Sequence, residues 1–439
     1  MEKATKIDDL IKVFSPMPLK TKEELDEFRI DTIEYRTGNI ENSPINNIFE
    51  TCTSMQSSCI LMGHRGCGKS TELNYLSKEL GKSGYTALSI DTAAESNLLD
   101  IDYFDIMLLI TEGLLKIAEQ KNIPLDESSI TSVLNFFKET VMETSTEEGD
   151  ERTSGMGVGI NIPLVSNVLG IFGNIKKEYK FNTGKRKTIR EFVNRKSSLW
   201  LEYITDISDK IIHGLNLKSP VLILEGLDKL EQREDNAFNI FTNTTLSQLN
   251  FPIIYTFPIS LRYSSRFQDV VNIYGANIFT LPMIKITNKE NNTSCDAGIN
   301  ILKEIVYKRA NLSLFEEGAI DLLVRKTGGS IRDIFNCIIL AARYARNVNQ
   351  STILKKDIEL ALTELTSQLR LTLITSDYAK LWKIHEDKQD IEDNDLMLNY
   401  LRARVVLEYN GEHWCDVHPV VLDFIKKRFE ARPELKPNE

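Results

Sequence analysis

One short segment constrains the fold of this chain more than any other, the stretch ILMGHRGCGKSTELNYL at residues 60–76. An apolar run leads into a glycine-rich turn, and the apolar residues after the turn recur at helical spacing. Gly63, Gly68, Lys69 and Ser70 satisfy the pattern GxxxxGK[ST] in full. A strand, a phosphate-binding loop and a helix are therefore predicted in this order.

The spacing of this pattern has a chemical reason. Glycines let successive backbone N–H groups point at one anion, and the N-terminus of the following helix adds its dipole on the same side. Lys69 would reach the β- and γ-phosphates, and Ser70 would ligate Mg²⁺. We expect the loop to bind ATP or ADP through Gly63, His64, Arg65, Gly66, Cys67, Gly68, Lys69, Ser70 and Thr71.

A second apolar run, SPVLILEGLDKLE, ends in carboxylates. Residues 221–224 are continuously apolar, as in a strand covered on both faces of a parallel sheet. Glu225 and Asp228 follow at the C-terminal edge, where open α/β sheets bind their ligands. One carboxylate can hold the Mg²⁺ shell while the other polarises the attacking water, and the pattern leaves their division of labour open. Ser70 and Glu225 are the candidate metal ligands.

A third strand, FPIIYTFPISLRY, places Thr256 at its end and Arg262 just beyond it. Polar groups at that edge can touch the γ-phosphate or its water. A surface position, or stacking near Tyr263, is an equally good interpretation of Arg262.

The segments around the loop read as βαβ units, which predicts an α/β P-loop NTPase core: a parallel sheet with helices on both faces. Helical spacing recurs over residues 106–119 and 130–141. Residues 143–190 are acidic, then apolar and glycine-rich, then basic, and we interpret them as an insertion. Pro163 and several polar residues interrupt its apolar run, which argues against a membrane span. A hairpin or loop on the core is favoured, and a partner-binding or peripheral membrane element is the alternative.

Two further units are predicted after the core. Amphipathic helices form an all-α lid, in which Gly328 and Gly329 end one helix and Ser330 caps the next, so that Arg332 lies in its first turn. The order helix, strand, Asn-Gly turn, strand and closing helix then describes a winged helix. The predicted divisions are an N-terminal lead-in at 1–48, the core at 49–285, the lid at 286–370 and the winged helix at 371–439.

The order of these parts resembles a known group of proteins. GHRGCGKST, VLILEGLDKL, TGGSIRDIF and the C-terminal hairpin pattern are similar to motifs of the AAA+ and STAND group of P-loop NTPases, specifically the origin-recognition-like clade. That clade has a helical lid and a winged helix, and the resemblance extends over residues 32–429. It implies an ATPase that converts ATP and water to ADP and phosphate, slowly and in a regulatory role.

The resemblance also implies roles for individual residues. Thr256 takes the place of sensor 1, Arg262 that of the arginine that follows it in STAND proteins, and Arg332 that of the sensor 2 arginine, which reaches the γ-phosphate. His418 takes the place of the winged-helix histidine that contacts the β-phosphate of ADP, although its neighbours differ from the usual Met-His-Asp. A histidine hydrogen-bonded at a strand–helix junction is the alternative.

The lead-in DTIEYRTGNIENSPINNIF resembles the segment before the phosphate loop in bacterial ATPases, many of which serve in anti-phage defence. We recognise no nuclease, TIR, protease or repeat pattern in the chain. The resemblance therefore implies a homo-oligomer that works with a separately encoded effector protein.

The cysteine pattern and the N-terminal segment indicate the cellular compartment. Six cysteines are scattered without CxxC pairs, and the N-terminal MEKATKIDDL carries no apolar signal segment. A cytoplasmic protein with reduced thiols and no transmembrane segment is expected.

Two functions are weighed: a nucleotide switch that assembles with or regulates an effector, and a DNA-binding initiator, loader or transposition regulator that uses its winged helix. The net charge of the chain is -10, and residues 377–439 carry 10 Lys and Arg against 14 Asp and Glu. A DNA-reading helix should be ringed by phosphate-neutralising cations, but only Arg402 and Arg404 lie near the candidate recognition helix. The charge favours the switch. A metabolic phosphotransferase is disfavoured because no second catalytic constellation follows the carboxylates.

Overall fold

The N-terminal half of the chain is built on a parallel sheet. The computed structural model describes residues 2–39, 41, 43–95, 101–146, 169–170, 173, 186–232, 234–389, 391–392, 394–409 and 414–436. The strands of the sheet are Cys59–Gly63 (β1), Thr86–Asp91 (β2), Pro220–Glu225 (β3), Ile253–Pro258 (β4) and Ile278–Thr280 (β5). They are ordered β2-β3-β4-β1-β5, and every pairing is parallel.

Helices cover both faces of this sheet. They are Pro44–Glu50, Lys69–Lys82, Thr92–Glu95, Tyr103–Gln120, Glu127–Thr146, Arg186–Gly214, Glu234–Phe241 and Phe267–Tyr274. Alternate residues of β1 pack into different hydrophobic clusters. Ile60 and Met62 belong to the cluster that contains apolar residues of the helix Tyr103–Gln120. Cys59 and Leu61 belong to the cluster that contains apolar residues of the helix Lys69–Lys82. This period of two explains why the strands read as unbroken apolar runs.

The N-terminal segment bridges two parts of the molecule. Its helices are Ile7–Val13, Lys22–Phe28 and Ile33–Thr37. The first packs on the helices that follow the sheet, with the rings of Phe14 and Phe335 at a centroid distance of 5.2 Å. The second packs Leu25 and Phe28 beside Tyr75 of the core. The two parts are thus joined by a segment that precedes both in the chain.

The helical lid consists of Asp296–Arg309, Ala319–Lys326, Ile331–Asn347 and Lys355–Leu369. The C-terminal unit follows, with helices Asp377–Asp387, Asn394–Arg402 and Pro419–Ala431 and an antiparallel pair of strands, Val406–Tyr409 (β6) and Trp414–Val417 (β7). One hydrophobic cluster contains apolar residues of both units. The lid and the C-terminal unit therefore share a core.

The C-terminal unit also contacts the NTPase core. The helix Asn394–Arg402 packs against the 3-10 turn Ile259–Tyr263, and its Leu398 is buried in the core cluster. The backbone N–H of Met283 donates to the carbonyl of Glu408 at 3.2 Å. The strands β6 and β7 are thus anchored beside the sheet.

The predicted fold class is confirmed: a parallel α/β core is followed by a helical lid. The helices predicted at 106–119 and 130–141 are present, and the second runs on to Thr146. Residues 186–190 of the predicted insertion are helical, whereas its remainder, apart from residues 143–146, 169–170 and 173, lies outside the described residues. The Asn-Gly turn at 410–411 also lies outside them, although the strands on either side pair as expected. The winged-helix assignment and the domain boundaries remain predictions.

No described helix combines the length and the hydropathy needed to cross a bilayer.

At the junction of core and lid, one position leaves no space for a side chain, and this can be tested. A Cβ on Gly298, in the first lid helix, would lie 1.7 Å from the carbonyl oxygen of Lys285. Helix propensity alone predicts that Gly298→Ala stabilises the protein by about 1 kcal/mol. We expect the opposite, a clear loss of thermal stability, because that carbonyl belongs to the backbone and cannot yield cheaply.

The matched control is Gly81→Ala near the end of the helix Lys69–Lys82, where an added Cβ would meet nothing within 4 Å. That variant should keep or raise the melting temperature measured by calorimetry. If Gly298→Ala had the same melting temperature as Gly81→Ala, the close contact between residue 298 and the carbonyl oxygen of Lys285 would be contradicted.

Candidate nucleotide site

The loop between β1 and the helix Lys69–Lys82 is packed against the lid. At Gly66, φ is +90°, and an added Cβ would lie 2.5 Å from the Cβ of Arg332. The backbone N–H of Arg332 donates to the carbonyl of Gly66 at 3.3 Å. Only glycine fits both the left-handed backbone and this contact. The loop and the first turn of the lid helix therefore hold each other in place.

Lys69 is buried at the mouth of the loop. Its Nζ donates to the carbonyls of Gly63 at 2.6 Å and His64 at 3.1 Å. It also forms an ion pair with Asp228 Oδ2 at 2.9 Å. The ammonium is thus fixed at the position where the motif requires a cation for phosphate.

The two predicted carboxylates occupy different electrostatic environments. Burial raises the pKa of Glu225, while a hydrogen bond from the Ser70 side chain acts against that rise. Burial would also raise the pKa of Asp228, but Lys69 and further cations lower it below its usual value. Asp228 is therefore held as an anion by Lys69, and Glu225 lies on the side of Ser70.

Asp91, at the end of β2, is a site residue that the sequence analysis missed. The register of the sheet pairs Asp91 with Glu225, and the charge of Asp91 contributes to the raised pKa of Glu225. A polar residue directly after an apolar strand was the available signal. Three carboxylates therefore meet at this edge of the sheet.

Arg36 is a second missed residue, and it supports the loop from within. Its side chain is 1% exposed. Its guanidinium donates to the carbonyl of Cys67 at 2.6 Å, to the hydroxyl of Thr32 at 2.8 Å and to the carbonyl of Pro282. One side chain thereby links the lead-in, the loop and the strand-to-lid connection.

These elements enclose a cavity of about 590 Å³. One part is polar and is formed by the loop and the sheet edge: Arg65, Gly66, Gly68, Lys69, Ser70, Thr71, Ser89, Asp91, Glu225 and Asp228. The other part is largely apolar and is formed by the N-terminal segment and the lid, among them Pro16, Met17, Pro18, Leu19, Phe28, Ile30, Ile305, Ile331 and Phe335. A cavity with an anion-binding end and an apolar end fits a nucleotide.

The N-terminal segment is attached directly to the loop helix. The N–H of Leu19 donates to the Thr71 hydroxyl at 3.3 Å, and the Asn74 side chain donates to the carbonyl of Leu19 at 2.8 Å. Arg29 pairs with the buried Glu72 at 2.7 Å. Residues 16–30 contain no recognisable motif, so this wall of the cavity could not be predicted from sequence patterns.

Arg332 is delivered to the cavity by the lid, as predicted. Gly328 and Gly329 have positive φ angles, and the Ser330 hydroxyl accepts the N–H of Asp333 at 3.3 Å. This cap starts the helix Ile331–Asn347 and places Arg332 in its first turn.

Other predicted residues lie away from the cavity lining. The Thr256 hydroxyl is inside β4 and donates to the carbonyl of Leu224 at 3.3 Å. Arg262 pairs with the buried Glu408 at 3.2 Å and so faces the C-terminal unit. His418 is buried between the lid and the C-terminal unit. The structure does not bring these three side chains to the phosphate loop, and the roles implied for them remain predictions.

Gly63, His64 and Cys67 belong to the loop but are not part of the cavity lining. The His64 ring points to the C-terminal unit, where its Nε2 accepts the backbone N–H of Glu408 at 2.8 Å. Burial lowers the pKa of His64 to about 4, so the ring is neutral near pH 7 and can accept this hydrogen bond.

The donor set is suited to Mg²⁺. The Ser70 hydroxyl and the carboxylates of Glu225, Asp228 and Asp91 are hard oxygen donors, which Mg²⁺ prefers. No group of three or more His, Cys, Asp or Glu side chains among the described residues forms a ready metal cage.

Together, the phosphate loop, the carboxylates at the adjacent sheet edge and the strand order β2-β3-β4-β1-β5 define an α/β fold with a candidate nucleotide site of the P-loop kind. The helical lid contributes Arg332 to this site.

Comparison with known proteins gives structural neighbours only. No protein-family model matches the sequence, and no match was found among curated proteins. The chain is similar to the Walker-type ATPase of Pyrococcus abyssi, with 13% identity, a TM-score of 0.45 and coverage of 94% of this chain and 99% of that one. The ORC2 protein of Aeropyrum pernix is 11% identical, with a TM-score of 0.42 and coverage of 96% of this chain and 98% of that one. Cdc6p of Pyrobaculum aerophilum is 12% identical, with a TM-score of 0.41 and coverage of 97% of this chain and 98% of that one. Because these TM-scores are below 0.5, the neighbours carry no argument about the function of this chain.

The buried His64 predicts a pH dependence. Its pKa is about 4 in the folded protein, against about 6.5 for an unperturbed histidine. Between these values the unfolded chain binds more protons, so the free energy of unfolding falls as pH falls, by up to about 1.4 kcal/mol per unit. His64→Gln should lose this part of the slope when unfolding is measured from pH 7 to pH 4.5.

The control is His213→Gln, because that side chain is exposed on a core helix. It should follow the wild-type curve. If His64→Gln and wild type differ by a constant amount at every pH, His64 does not titrate in the way its burial requires.

Proposed function

We propose that this chain binds ATP with Mg²⁺ in the cavity between core and lid and hydrolyses it slowly. The observation that carries the proposal is that Lys69, Ser70, Glu225, Asp228 and Arg332 line one cavity although they come from three separate parts of the chain. A cation for the phosphates, oxygen donors for a metal and a second cation from the lid are the parts that phosphoryl transfer needs.

The residues divide the work as follows. Ser70 and Glu225 hold the metal ion, which neutralises charge on the phosphates when bound. Asp228 polarises the attacking water, since it is the carboxylate kept ionised beside Lys69. Arg332 contacts the γ-phosphate from the lid.

The apolar end of the cavity receives the nucleobase. Phe28, Ile305 and Phe335 offer faces against which an adenine ring can pack. The N-terminal segment over this end keeps water from the base, and its attachment to Thr71 and Asn74 couples base binding to the loop helix.

The nucleotide then acts as a switch. The loop contacts the lid through Gly66 and the C-terminal unit through His64, so loop movements are transmitted to both. We infer that ATP and ADP favour different angles between these units, and that the altered surface assembles copies of the chain and engages a separately encoded effector, in bacterial anti-phage defence. The compartment is the cytoplasm.

The alternative is a DNA-binding ATPase of the initiator, loader or transposition-regulator type. Its candidate recognition helix, Asn394–Arg402, packs on the NTPase core through Leu398. Two nearby cations are committed internally: Arg404 pairs with Asp333, and Lys388 pairs with Asp416. This arrangement favours the switch, since neither of these two cations is left to neutralise DNA phosphates.

Lys69→Ala should abolish ATP retention, because it removes the charge that faces the phosphates. Binding of a fluorescent ATP analogue measures this, and melting curves verify the fold. Lys82→Ala is the control, since Lys82 lies exposed on the same helix and pairs with Glu79. If Lys69→Ala bound ATP with wild-type affinity, the assignment of the loop as the ATP site would be wrong.

The amide variants of the two carboxylates should behave differently. Asp228→Asn should keep ATP binding and lower turnover by about a hundredfold or more, the usual scale for a positioned base. Glu225→Gln should instead remove the gain in ATP affinity that Mg²⁺ gives.

Size-exclusion profiles extend this test to the switch: with ATP, Asp228→Asn should accumulate the form that wild type shows with a non-hydrolysable analogue. Asp269→Asn, an exposed change on a core helix, is the control. Normal turnover in both amide variants would refute the catalytic assignment.

A further inference from the structure

Arg332 is a cation of the cavity whose side chain is not committed to another group among the described residues. Among the described residues, its guanidinium has no hydrogen-bond or ion-pair partner, and its backbone alone is bonded, to Gly66. Its charged neighbours are Arg404, Asp228 and Asp333. A half-buried guanidinium beside two carboxylates would ordinarily pair with one of them. Both carboxylates are occupied instead.

Asp333, the next residue in the lid helix, is occupied by Arg404. Nη1 of Arg404 lies 2.7 Å and 2.8 Å from the two oxygens of the Asp333 carboxylate. Asp333 is 1% exposed, so its charge cannot be left without a partner at low cost. Arg332 is the preceding residue of the same helix, and its charge already interacts with that of Asp333.

Arg404 belongs to the C-terminal unit and is held in an unusual conformation. It lies in the turn between the helix Asn394–Arg402 and β6, with φ at +58°, a region that non-glycine residues seldom adopt. The other titratable side chain at Asp333 is His418, whose Nε2 is 3.7 Å from Oδ2, beyond hydrogen-bond length. The neutralising group therefore comes from a different unit than the carboxylate.

We propose that Arg404 is a positioning residue of the nucleotide site. By pairing with Asp333 it prevents Asp333 from pairing with Arg332, and Arg332 stays available for the terminal phosphate. This inference rests on the proposed binding of ATP. It also gives the C-terminal unit a route to the site: when Arg404 withdraws, Asp333 captures Arg332 and the preference for ATP over ADP falls. By linkage, ATP in turn favours the arrangement in which Arg404 is paired.

The test compares affinities for a non-hydrolysable ATP analogue and for ADP, both with Mg²⁺, by calorimetry. Arg404→Asn is the first variant, because asparagine tolerates a positive φ and carries no charge. Its ratio of ATP to ADP affinity should fall about tenfold or more, the scale of one charge-assisted hydrogen bond. The double variant D333N/R404N should regain the wild-type ratio, since the competing carboxylate is gone. Arg332→Ala should show the low ratio.

The matched control is Arg325→Gln, which breaks an Arg–Asp pair with Asp321 elsewhere in the lid and should leave the ratio unchanged. If Arg404→Asn fails to fold, Arg404→Lys, which neutralises Asp333 with a single ammonium, should give an intermediate ratio. A wild-type ratio in Arg404→Asn, or an equally low ratio in the double variant, would overturn the inference while ATP binding stands. A wild type that binds neither nucleotide would overturn the proposed function and this inference with it.

Discussion

The packing of the phosphate loop against two other units is the constraint on which the rest of the structure depends. The carbonyl of Gly66 receives an N–H from the lid, and the ring of His64 receives one from the C-terminal unit. The His64 contact is buried, and there a lost hydrogen bond leaves an unsatisfied polar group at a cost of about 1–3 kcal/mol. The conformation of the loop and the positions of the lid and the C-terminal unit therefore depend on each other.

The N-terminal segment adds a connection of a different kind. Its first helix packs on the lid through Phe14, and its second packs on the core through Phe28. The chain between them, residues 16–20, passes over the cavity and is bonded to the loop helix. This short segment therefore connects the cavity to both the lid and the core.

Sequence patterns predicted the parts of the fold that local chemistry determines. The phosphate loop, the apolar strands with their terminal carboxylates and the Ser330 cap each depend on residues close together in the chain, and the structure places them as expected. What the sequence could not give is long-range pairing. Arg36 on the Cys67 carbonyl, Arg262 on Glu408 and Arg404 on Asp333 join residues 31, 146 and 71 positions apart. For Arg262, the pairing with Glu408 explains why the side chain lies away from the cavity.

The charges around the cavity show what a ligand has to change. Lys69 is paired with Asp228, Arg29 with Glu72, and Asp333 with Arg404, so each of these groups is compensated in this structure. An incoming phosphate must replace Asp228 as the partner of Lys69, which uses part of the binding free energy to break a buried ion pair. The displaced carboxylate is then beside the bound phosphates, where a base for water is needed.

A ligand can shift the equilibrium between arrangements only by its differential affinity for them. Replacement of Asp228 is a contact that any nucleotide phosphate at Lys69 can make, whereas Arg332 can distinguish a terminal phosphate. Under the proposed function, the discrimination between ATP and ADP is therefore assigned to the lid rather than to the loop.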